Sequence, residues 1–306
     1  MRNYYVMRFL SMIFTLFLIV TITFFLMRAI PGGPFQREKP LPDEIVARLE
    51  AKYNLDAPLF EQYVDYMKGL VTFDLGPSYR ILGMSVNEMI SNGFPTSAKI
   101  GGIAAILIIV VGIPIGVVSA LKANSLTDYS VMFLATLGVT LPSFVIATGY
   151  IYIFAIKLDW VDATGLSSIG SYIGPVIALS GYSLSFVARL SRSSQLEVLQ
   201  QDYIRTARAN GISEFKVIMK HGLKNSLIPV VTYVGPMIAA ILTGSFVVET
   251  MFNLPGIGTY FVAAVQNRDY TVIIGMTVFY AAFYVVSVFL VDIAYSFIDP
   301  RIKLGK

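Results

Sequence analysis

The sequence has no cysteine and a single histidine, His221, among its 306 residues. Without cysteine there is no disulfide framework, no thiolate nucleophile and no zinc site built on sulfur. One histidine cannot form a multi-histidine metal site, and it restricts any Ser-His pair to that one position. The Gly-x-x-x-x-Gly-Lys-Ser/Thr loop that binds nucleotide phosphates is also missing. We therefore expect no metal and no cofactor bound by this chain.

Charge is scarce as well, at 14% of residues, whereas 56% are hydrophobic and the mean hydropathy is +0.69. A soluble domain carries about 25% charged residues, and a membrane-crossing helix needs about 20 apolar ones. Six stretches meet that length: 9–27, 100–121, 129–156, 172–188, 227–248 and 272–298. The first is longer than the core of a secretory signal, so we interpret it as a permanent helix. The composition predicts an all-α integral membrane protein with six transmembrane helices.

Lysine and arginine predict the orientation of these spans. They concentrate at the N-terminus (Arg2, Arg8), in the 189–226 segment, and in the C-terminal tail (Arg301, Lys303, Lys306). The loops 157–171 and 249–271 carry one basic residue each. Short loops rich in lysine and arginine stay in the cytoplasm. We therefore expect both termini inside. The small net charge of +4 gives no indication of nucleic-acid binding.

The predicted spans contain one ionisable residue, Asp292, near the end of the last span. We interpret it as an acid that reaches the interface or pairs with a tail arginine or lysine. Ion-coupled carriers usually place charged residues near the bilayer centre. This sequence therefore lacks the parts of such a carrier, although an ion-coupled secondary transporter stays open as an alternative.

Small residues and prolines recur inside the spans. Gly112 and Gly116, Gly174 and Ala178, and Gly181 and Ser185 lie one helical turn apart, which predicts close helix packing. Five prolines can kink or unwind their helices: Pro114, Pro142, Pro175, Pro229 and Pro236. We favour packing over direct contact with a substrate at these positions, in a bundle that must rearrange.

The segment 30–98 between the first two spans predicts two short helices. One begins at Leu41-Pro-Asp-Glu and the other at Asp56-Ala-Pro, and aromatic residues such as Phe60 and Tyr63 recur at helical spacing. We expect these aromatics to pack as a cap on the bundle. A docking surface for an external partner is the alternative.

The segment 189–226 is a basic insert between apolar spans, with seven lysines and arginines against three acids. The pattern predicts a helix over 190–209, a break at Gly211 and a second short helix capped by Ser213. Phe215, Ile218 and Met219 would form an apolar face between lysines. Such a face fits either an anionic lipid surface or a partner protein.

This insert contains Asp202-Tyr-Ile-Arg-Thr-Ala-Arg-Ala-Asn-Gly211, followed by His221-Gly-Leu-Lys-Asn225. The run resembles the coupling loop of bacterial ABC importer permeases, in the peptide/nickel subgroup, although the Glu and first Ala of the general Glu-Ala-Ala-x-x-x-Gly form are absent. Four further motifs match in order: Ile30-Pro-Gly-Gly-Pro-Phe, Phe73-Asp-Leu-Gly-Pro-Ser78, Glu249-Thr-Met-Phe-Asn-Leu-Pro-Gly-Ile-Gly258 with Asn267-Arg-Asp-Tyr270, and Asp299-Pro-Arg-Ile302. The resemblance covers the whole chain and is greatest to the B-type oligopeptide permease subunits.

The resemblance implies a type I ABC importer permease fold with three parts: a tail and first helix (1–29), an extracytoplasmic segment (30–98) and a five-helix core (99–306). It implies no catalysis by this chain. The partners would be a second permease, two ATPases that bind ATP and Mg, and an extracytoplasmic binding protein that delivers peptide. This family resides in the bacterial cytoplasmic membrane.

The resemblance also assigns candidate site residues. ATPase coupling would involve Arg205, Thr206, Ala207, Arg208, Ala209, Gly211, Phe215, His221 and Asn225. A loop that docks the binding protein or gates the pathway would contain Glu249, Phe252, Pro255, Gly256, Gly258, Arg268 and Asp269.

The substrate pathway has no clear pattern of its own. Weakly selective peptide transport suits hydroxyl groups and backbone, so the candidates are Thr136, Thr140, Ser143, Tyr233, Thr243 and Ser245. The competing interpretation is that each bonds to its own helix. A permease for dipeptides or nickel complexes stays open as an alternative, because the binding protein would select the substrate.

Overall fold

The computed structural model describes residues 2–31, 33–35 and 42–298. In these ranges the chain is mostly helical, and the one β pairing is an isolated bridge between Pro77 and Ser85. The basic C-terminal tail, the 299–302 motif, Gly32 and Leu41 lie outside the described residues.

Fourteen α-helices occur within the described ranges, with wider π-turns at three places. The α-helices are α1 (Arg2–Ala29), α2 (Asp43–Lys52), α3 (Leu59–Val71), α4 (Val86–Leu107), α5 (Ile113–Leu121), α6 (Leu126–Thr140), α7 (Ser143–Tyr150), α8 (Ile173–Leu199), α9 (Asp202–Ala209), α10 (Glu214–Lys216), α11 (Leu223–Leu242), α12 (Phe246–Met251), α13 (Ile257–Gln266) and α14 (Tyr270–Ile298). The π-turns Ile108–Gly112 and Val217–Gly222 join α4 to α5 and α10 to α11, and Ile151–Lys157 extends α7.

Five of the resulting helices are long and apolar enough to cross a membrane: Val6–Ala29, Val86–Leu121, Gly170–Leu199, Glu214–Leu242 and Tyr270–Ile293. A sixth span exists if α6 and the extended α7, which meet at a bend of 104°, count as one. The predicted all-α membrane architecture is confirmed, and the bounds of individual spans change.

The second span begins at Val86, well before the predicted start at residue 100. Ser85 caps it: its hydroxyl accepts the Glu88 N–H at 3.2 Å, and Glu88 Oε2 accepts the Ser85 N–H at 2.8 Å. This reciprocal cap starts a helix although the first turns are polar. Thirteen residues of the predicted extracytoplasmic segment, 86–98, therefore continue the second span as helix.

The third span is broken rather than continuous as predicted over 129–156. Leu141 is extended, with φ −79° and ψ 121°, and Pro142 precedes the first residue of α7. A residue before proline avoids the helical conformation, so the chain turns here. Pro114 does not break its span. In a regular helix the proline ring would clash with the carbonyl four residues earlier, and here that carbonyl belongs to the wider π-turn Ile108–Gly112. Helix α11 continues through Pro229 and Pro236.

The fifth span runs from Glu214 to Leu242 and not over 227–248. Gly244, with φ +84°, ends it, and Ser245 then caps the separate helix α12 through the Val248 N–H at 3.3 Å. The predicted short helix after Gly211 is thus the first turn of this span, and the Ser213 side chain makes no capping bond. The predicted 190–209 helix is also two helices, because α8 ends at Leu199.

Helix α8 lies at the centre of the bundle, packed against α4, α5, α6, α7 and α11. Gly112 and Gly116 face it, and a Cβ at Gly116 would overlap the Ala188 carbonyl oxygen. A Cβ at Gly181 would lie 2.8 Å from Ile146 Cδ1. The predicted role of these small residues in close packing is confirmed.

Helices α2 and α3 form what we call the cap, and α3 packs over one end of α1 and α14. Tyr63, Tyr66 and Met67 pack against Phe24 and Val20 of α1, and Thr21 shares a 2.8 Å hydrogen bond with the Tyr63 hydroxyl. The predicted packing of the cap is confirmed for these residues. It is wrong for Phe60, which is 72% exposed, because its position in α3 faces away from α1.

Candidate functional site

The segment 200–225, which joins α8 to α11 and includes the first residues of α11, has a small core of its own. Ile204 and Ala207 on one face of α9 are buried against Val217, with Leu199 and Ile212 packed around them. The opposite face of α9 is exposed. We call this arrangement the α9 unit. Its core fixes α9 relative to the start of the fifth span.

Gly211 ends α9 in a left-handed conformation with φ +76°. The Gly211 N–H donates to the Arg208 carbonyl at 3.0 Å, and the Ile212 N–H donates to the Ala207 carbonyl at 3.3 Å. These two bonds define a Schellman motif, which favours glycine at this position. A Cβ at Gly211 would meet nothing within 4 Å, so the requirement for glycine comes from the backbone angle alone.

An ion pair spans the same turn. Arg208 donates from Nη2 to Glu214 Oε1 at 2.6 Å and from Nε to Oε2 at 3.0 Å. The bond to Glu214 raises the pKa of the Arg208 guanidinium further above its ordinary value. A second contact joins α9 to α11, because Asn225 Nδ2 donates to the Tyr203 hydroxyl at 2.8 Å. Both ends of α9 are therefore fastened to the fifth span.

The α9 unit exposes most of the residues predicted for ATPase coupling. Phe215 is 73% exposed and Met219 47%, beside the lysines of the same turns. The exposed predicted residues are Arg205, Thr206, Arg208, Ala209, Gly211, Phe215 and Asn225, whereas His221 is half-buried and Ala207 is buried. An exposed apolar ridge beside cations fits either a partner protein or an anionic lipid surface.

Glu249 lies in a second cluster, in residues 243–269 between the last two spans, which we call the Glu249 loop. Its side chain is 2% exposed, and its Oε2 accepts the Gly258 N–H at 2.7 Å, which caps the start of α13. Its Oε1 faces Gly244 and has no hydrogen-bond partner among the described residues. Burial raises the pKa of the Glu249 carboxyl, and the amide bond from Gly258 opposes part of that rise.

Glycines surround this carboxylate. A Cβ at Gly244 or Gly256 would overlap one of the Glu249 oxygens, and a Cβ at Gly258 would lie 2.5 Å from Phe246 Cα. The glycines of the Pro-Gly-x-Gly pattern therefore leave the space that a buried glutamate needs. Phe252 is also buried, and Pro255 is exposed.

Asp269 joins motifs that are distant in the sequence. It is 2% exposed and accepts the Ser78 hydroxyl at 2.5 Å and the backbone N–H groups of Tyr79 and Arg80 at 3.2 and 3.3 Å. Arg80 donates from Nη2 to the Pro34 carbonyl at 2.6 Å. The 30–35, 73–78 and 267–270 motifs therefore meet in one structure. Arg268, beside Asp269, is exposed, with φ +54°.

Most of the predicted pathway hydroxyls bond to their own helices. Thr136, Thr140 and Thr243 donate to the carbonyls of Met132, Thr136 and Ala240, all within 2.6–2.8 Å. Ser245 is a helix cap. Tyr233 donates to Ser183 Oγ at 3.5 Å and packs against the Phe186 ring, whose centroid lies 4.3 Å away. These contacts match the competing interpretation and single out no substrate group.

The sequence interpretation missed three charged groups in or beside the spans. Asp128 is 1% exposed and accepts Arg192 Nε and Nη2, both at 2.6 Å. Lys99, inside the extended second span, donates to the Tyr172 hydroxyl at 2.9 Å beside an apolar groove. The statement that Asp292 is the one ionisable residue of the spans is therefore wrong, because the helices extend beyond the apolar stretches. Asp292 itself pairs with Arg8 at 3.2 Å. The predicted partner was a tail arginine or lysine, and the C-terminal tail lies outside the described residues.

Replacing Glu249 by glutamine is expected to remove a pH dependence of stability. In the wild type, the folded state holds the Glu249 proton more tightly than the unfolded state, because burial raises its pKa above 4.5. The free energy of unfolding therefore falls as pH rises above 4.5 and stops falling above the folded-state pKa. The slope is about 1.4 kcal/mol per pH unit within that window. Thermal unfolding midpoints measured across this range report it.

The matched control is Glu61→Gln, on the exposed face of α3. It should keep the wild-type pH profile. An unchanged profile in Glu249→Gln would contradict the assignment.

Within the described residues, no cluster of three or more His, Asp or Glu side chains could hold a metal ion. The chain matches two family descriptions, "Binding-protein-dependent transport system inner membrane component" over residues 112–304 and the corresponding N-terminal description over residues 1–100.

Several proteins resemble the chain over its full length. It is 46% identical to the dipeptide transport system permease protein of Bacillus subtilis (strain 168), covering 100% of this chain and 99% of that protein. It is 43% identical to the oligopeptide transport system permease protein of Escherichia coli (strain K12), covering 99% and 100%. In an inward-facing structure of the MetNI methionine ABC transporter, one chain aligns with a TM-score of 0.52 at 16% identity, covering 71% of this chain and 97% of that one. The predicted type I ABC permease fold is thereby confirmed.

Proposed function

This chain belongs to the binding-protein-dependent transport system inner membrane components, and from that premise we propose that it is the permease subunit of an ATP-driven peptide importer. With a second, similar permease it forms the pathway for oligopeptides, and an extracytoplasmic binding protein supplies them. The names of the full-length relatives support peptide as the substrate class. The subunit belongs to a family of transport permeases and is not itself an enzyme.

The α9 unit is the proposed contact with the ATPases. Phe215 and Met219 would fill a cleft of one ATPase, while Arg205 and the neighbouring lysines meet its polar rim. Ala207, being buried, would hold α9 in place. The observation that carries this proposal is that an exposed apolar ridge is held to a membrane-spanning helix by an ion pair, a side-chain hydrogen bond and a buried core.

This assignment places the α9 unit and both termini in the cytoplasm of a bacterial cell, with the chain in its plasma membrane. ATP and Mg would bind to the two ATPases, and closure of the ATPases would move the α9 units together. A rigid-body change between two packings of the spans would then open the pathway to one side or the other. The Glu249 loop, mostly buried, fits the gate of the pathway better than a docking surface, and Pro255 and Arg268 are its exposed predicted residues.

The test is uptake by the reconstituted transporter. The tagged chain is purified with its accompanying subunits, placed in vesicles with the binding protein, and supplied with labelled tri-alanine. Uptake should require ATP and survive an uncoupler. Uptake that collapses with the uncoupler while ATP is present would favour an ion-coupled carrier, and uptake of nickel complexes but not peptides would favour the nickel alternative.

A further inference from the structure

A cavity of about 380 Å³ lies where the cap meets the membrane helices. The last turn of α1 and the first turn of α14 form its floor, through Arg28, Tyr270 and Thr271. Helix α3 contributes Gln62 and Tyr66 to its wall. Its volume falls near the lower end of the range for small-molecule sites, about 300–1,000 Å³.

Polar atoms without partners concentrate in the residues that line this cavity. Nine buried side-chain nitrogen and oxygen atoms have no hydrogen-bond partner in the described part of the chain, and five of them belong to residues that line it. The five are Arg28 Nε, Gln62 Oε1, Tyr66 Oη, Tyr270 Oη and Thr271 Oγ1. Buried polar groups are normally paired, so this concentration indicates a site built for a polar molecule.

The five atoms have complementary chemistry. Arg28 and the three hydroxyls can all donate hydrogen bonds, which suits an oxyanion. Burial raises the pKa of Tyr66 further above its ordinary value, and its protonated hydroxyl is a donor. Arg28 forms no ion pair with a described acid, and its guanidinium lies 5.4 Å from the centre of the Phe24 ring.

The lining also contains hydrogen-bond acceptors. Gln62 uses its Nε2 group for the Leu55 and Ala57 carbonyls, at 3.0 and 2.8 Å, which fixes the amide and leaves Oε1 as an acceptor. Asp65 and Asp74 also line the cavity, beside Lys52. Asp65 pairs with Lys68 through Oδ1 at 3.0 Å, and Asp74 Oδ1 accepts the Gly76 N–H at 2.9 Å. An ammonium group would find both an amide oxygen and carboxylates here.

We propose that this cavity binds a small zwitterion, with its oxyanion at Arg28, Tyr66, Tyr270 and Thr271 and its ammonium group at Gln62, Asp65 and Asp74. The site is distinct from the α9 unit and from the Glu249 loop, and the proposal does not depend on the transported substrate. Occupation would tie the cap to α1 and α14, because the ligand would contact all three.

Two sources supply this chemistry. The cavity adjoins the end of α1, whose Phe25 and Leu26 are 39% and 62% exposed, so a phosphatidylethanolamine headgroup from a neighbouring lipid could enter. A free amino acid or short peptide carries the same pair of groups on a carboxylate and an ammonium. The choline headgroup provides phosphate but no N–H donor, which makes phosphatidylcholine a matched negative lipid.

The test measures hydrogen exchange of α3 and the start of α14 in the full-length chain, purified with its accompanying subunits in lipid nanodiscs. Discs of phosphatidylcholine alone are compared with discs that contain phosphatidylethanolamine, and with phosphatidylcholine discs plus millimolar tri-alanine. We expect exchange at least threefold slower in one of the last two conditions. A slower rate with phosphatidylethanolamine identifies lipid as the source, and one with tri-alanine identifies a soluble ligand. Equal rates in all three would overturn the proposal.

Two variants connect the effect to the cavity. Tyr270→Phe removes one hydroxyl from a side chain that is 3% exposed and retains its packing, and Arg28→Gln removes the cation. Both should abolish the slowing of exchange. Arg48→Gln, the same substitution on the exposed Arg48–Glu44 pair of α2, should retain it. Slowing that persists in both cavity variants would also overturn the proposal.

Discussion

Replacing Asp128 by asparagine is expected to lower the free energy of unfolding by about 3 kcal/mol, since it leaves the charge of Arg192 without a partner. The Asp128 carboxylate accepts four hydrogen bonds: two from Arg192 at 2.6 Å, one from Ser119 Oγ at 2.5 Å and one from the Asn124 N–H at 2.9 Å. These donors belong to α5, to the turn before α6, and to α8. An asparagine of the same shape has one acceptor oxygen and turns an NH₂ group toward those donors.

The measurement is chemical denaturation of the purified protein in detergent. Glu44→Gln is the matched control, because the Glu44–Arg48 pair on α2 is 78% exposed on both sides and should change stability by less than about 1 kcal/mol. Adding Arg192→Met to Asp128→Asn should restore part of the loss, because the uncompensated charge is then removed. An Asp128→Asn variant as stable as Glu44→Gln would contradict the role of this pair.

The spans were predictable because a membrane-crossing helix requires a long apolar stretch, and such a stretch is visible in the local sequence. The exact bounds of the spans were less predictable. Val86 to Lys99 form the first turns of a span, yet their polar side chains lie outside the most apolar window, and the helix is set by the Ser85 cap and by packing against α13. Hydropathy reports contact with lipid, whereas helix length depends on caps and tertiary contacts.

Ion pairs between helices give no comparable local signal. Asp128 and Arg192 are 64 residues apart, and each alone resembles a residue at the end of a span. The glycines around Glu249 were recognisable as a motif, but the reason for them is the volume of a buried carboxylate supplied by another turn. The five unpartnered atoms of the cap cavity come from α1, α3 and α14, which only the fold brings together.

The α9 unit was predictable in composition but not in connectivity. Its apolar and basic residues were evident, and Gly211 was correctly expected to break the helix. The break at Gln200 and Gln201 was missed, since glutamine favours helix and neither residue is a helix breaker. The fusion of Glu214 to the fifth span was missed because a serine before Glu-Phe-Lys imitates a separate start.

Replacing Gly211 by valine is expected to abolish the coupling of ATP hydrolysis to transport while the spans still insert. At φ +76° a residue with a Cβ is strained by about 1–2 kcal/mol, and a β-branched residue is among the least tolerated there. Valine would therefore turn the backbone out of the Schellman motif, break the bonds to Arg208 and Ala207, and shift α9 from the fifth span. The readout is the stimulation of ATPase activity by binding protein and peptide in vesicles.

Gly211→Asn is the matched control, because asparagine tolerates the left-handed conformation far better than valine. Nothing lies within 4 Å of a Cβ at this position, so both side chains have room and the two variants differ in backbone preference. The asparagine variant should keep most of the coupling, and the valine variant should hydrolyse ATP at the rate seen without peptide. If the valine variant coupled as the wild type does, the α9 unit could not transmit motion through this turn. If both variants failed equally, the open surface around Gly211, rather than its backbone angle, would be the contact with the ATPase.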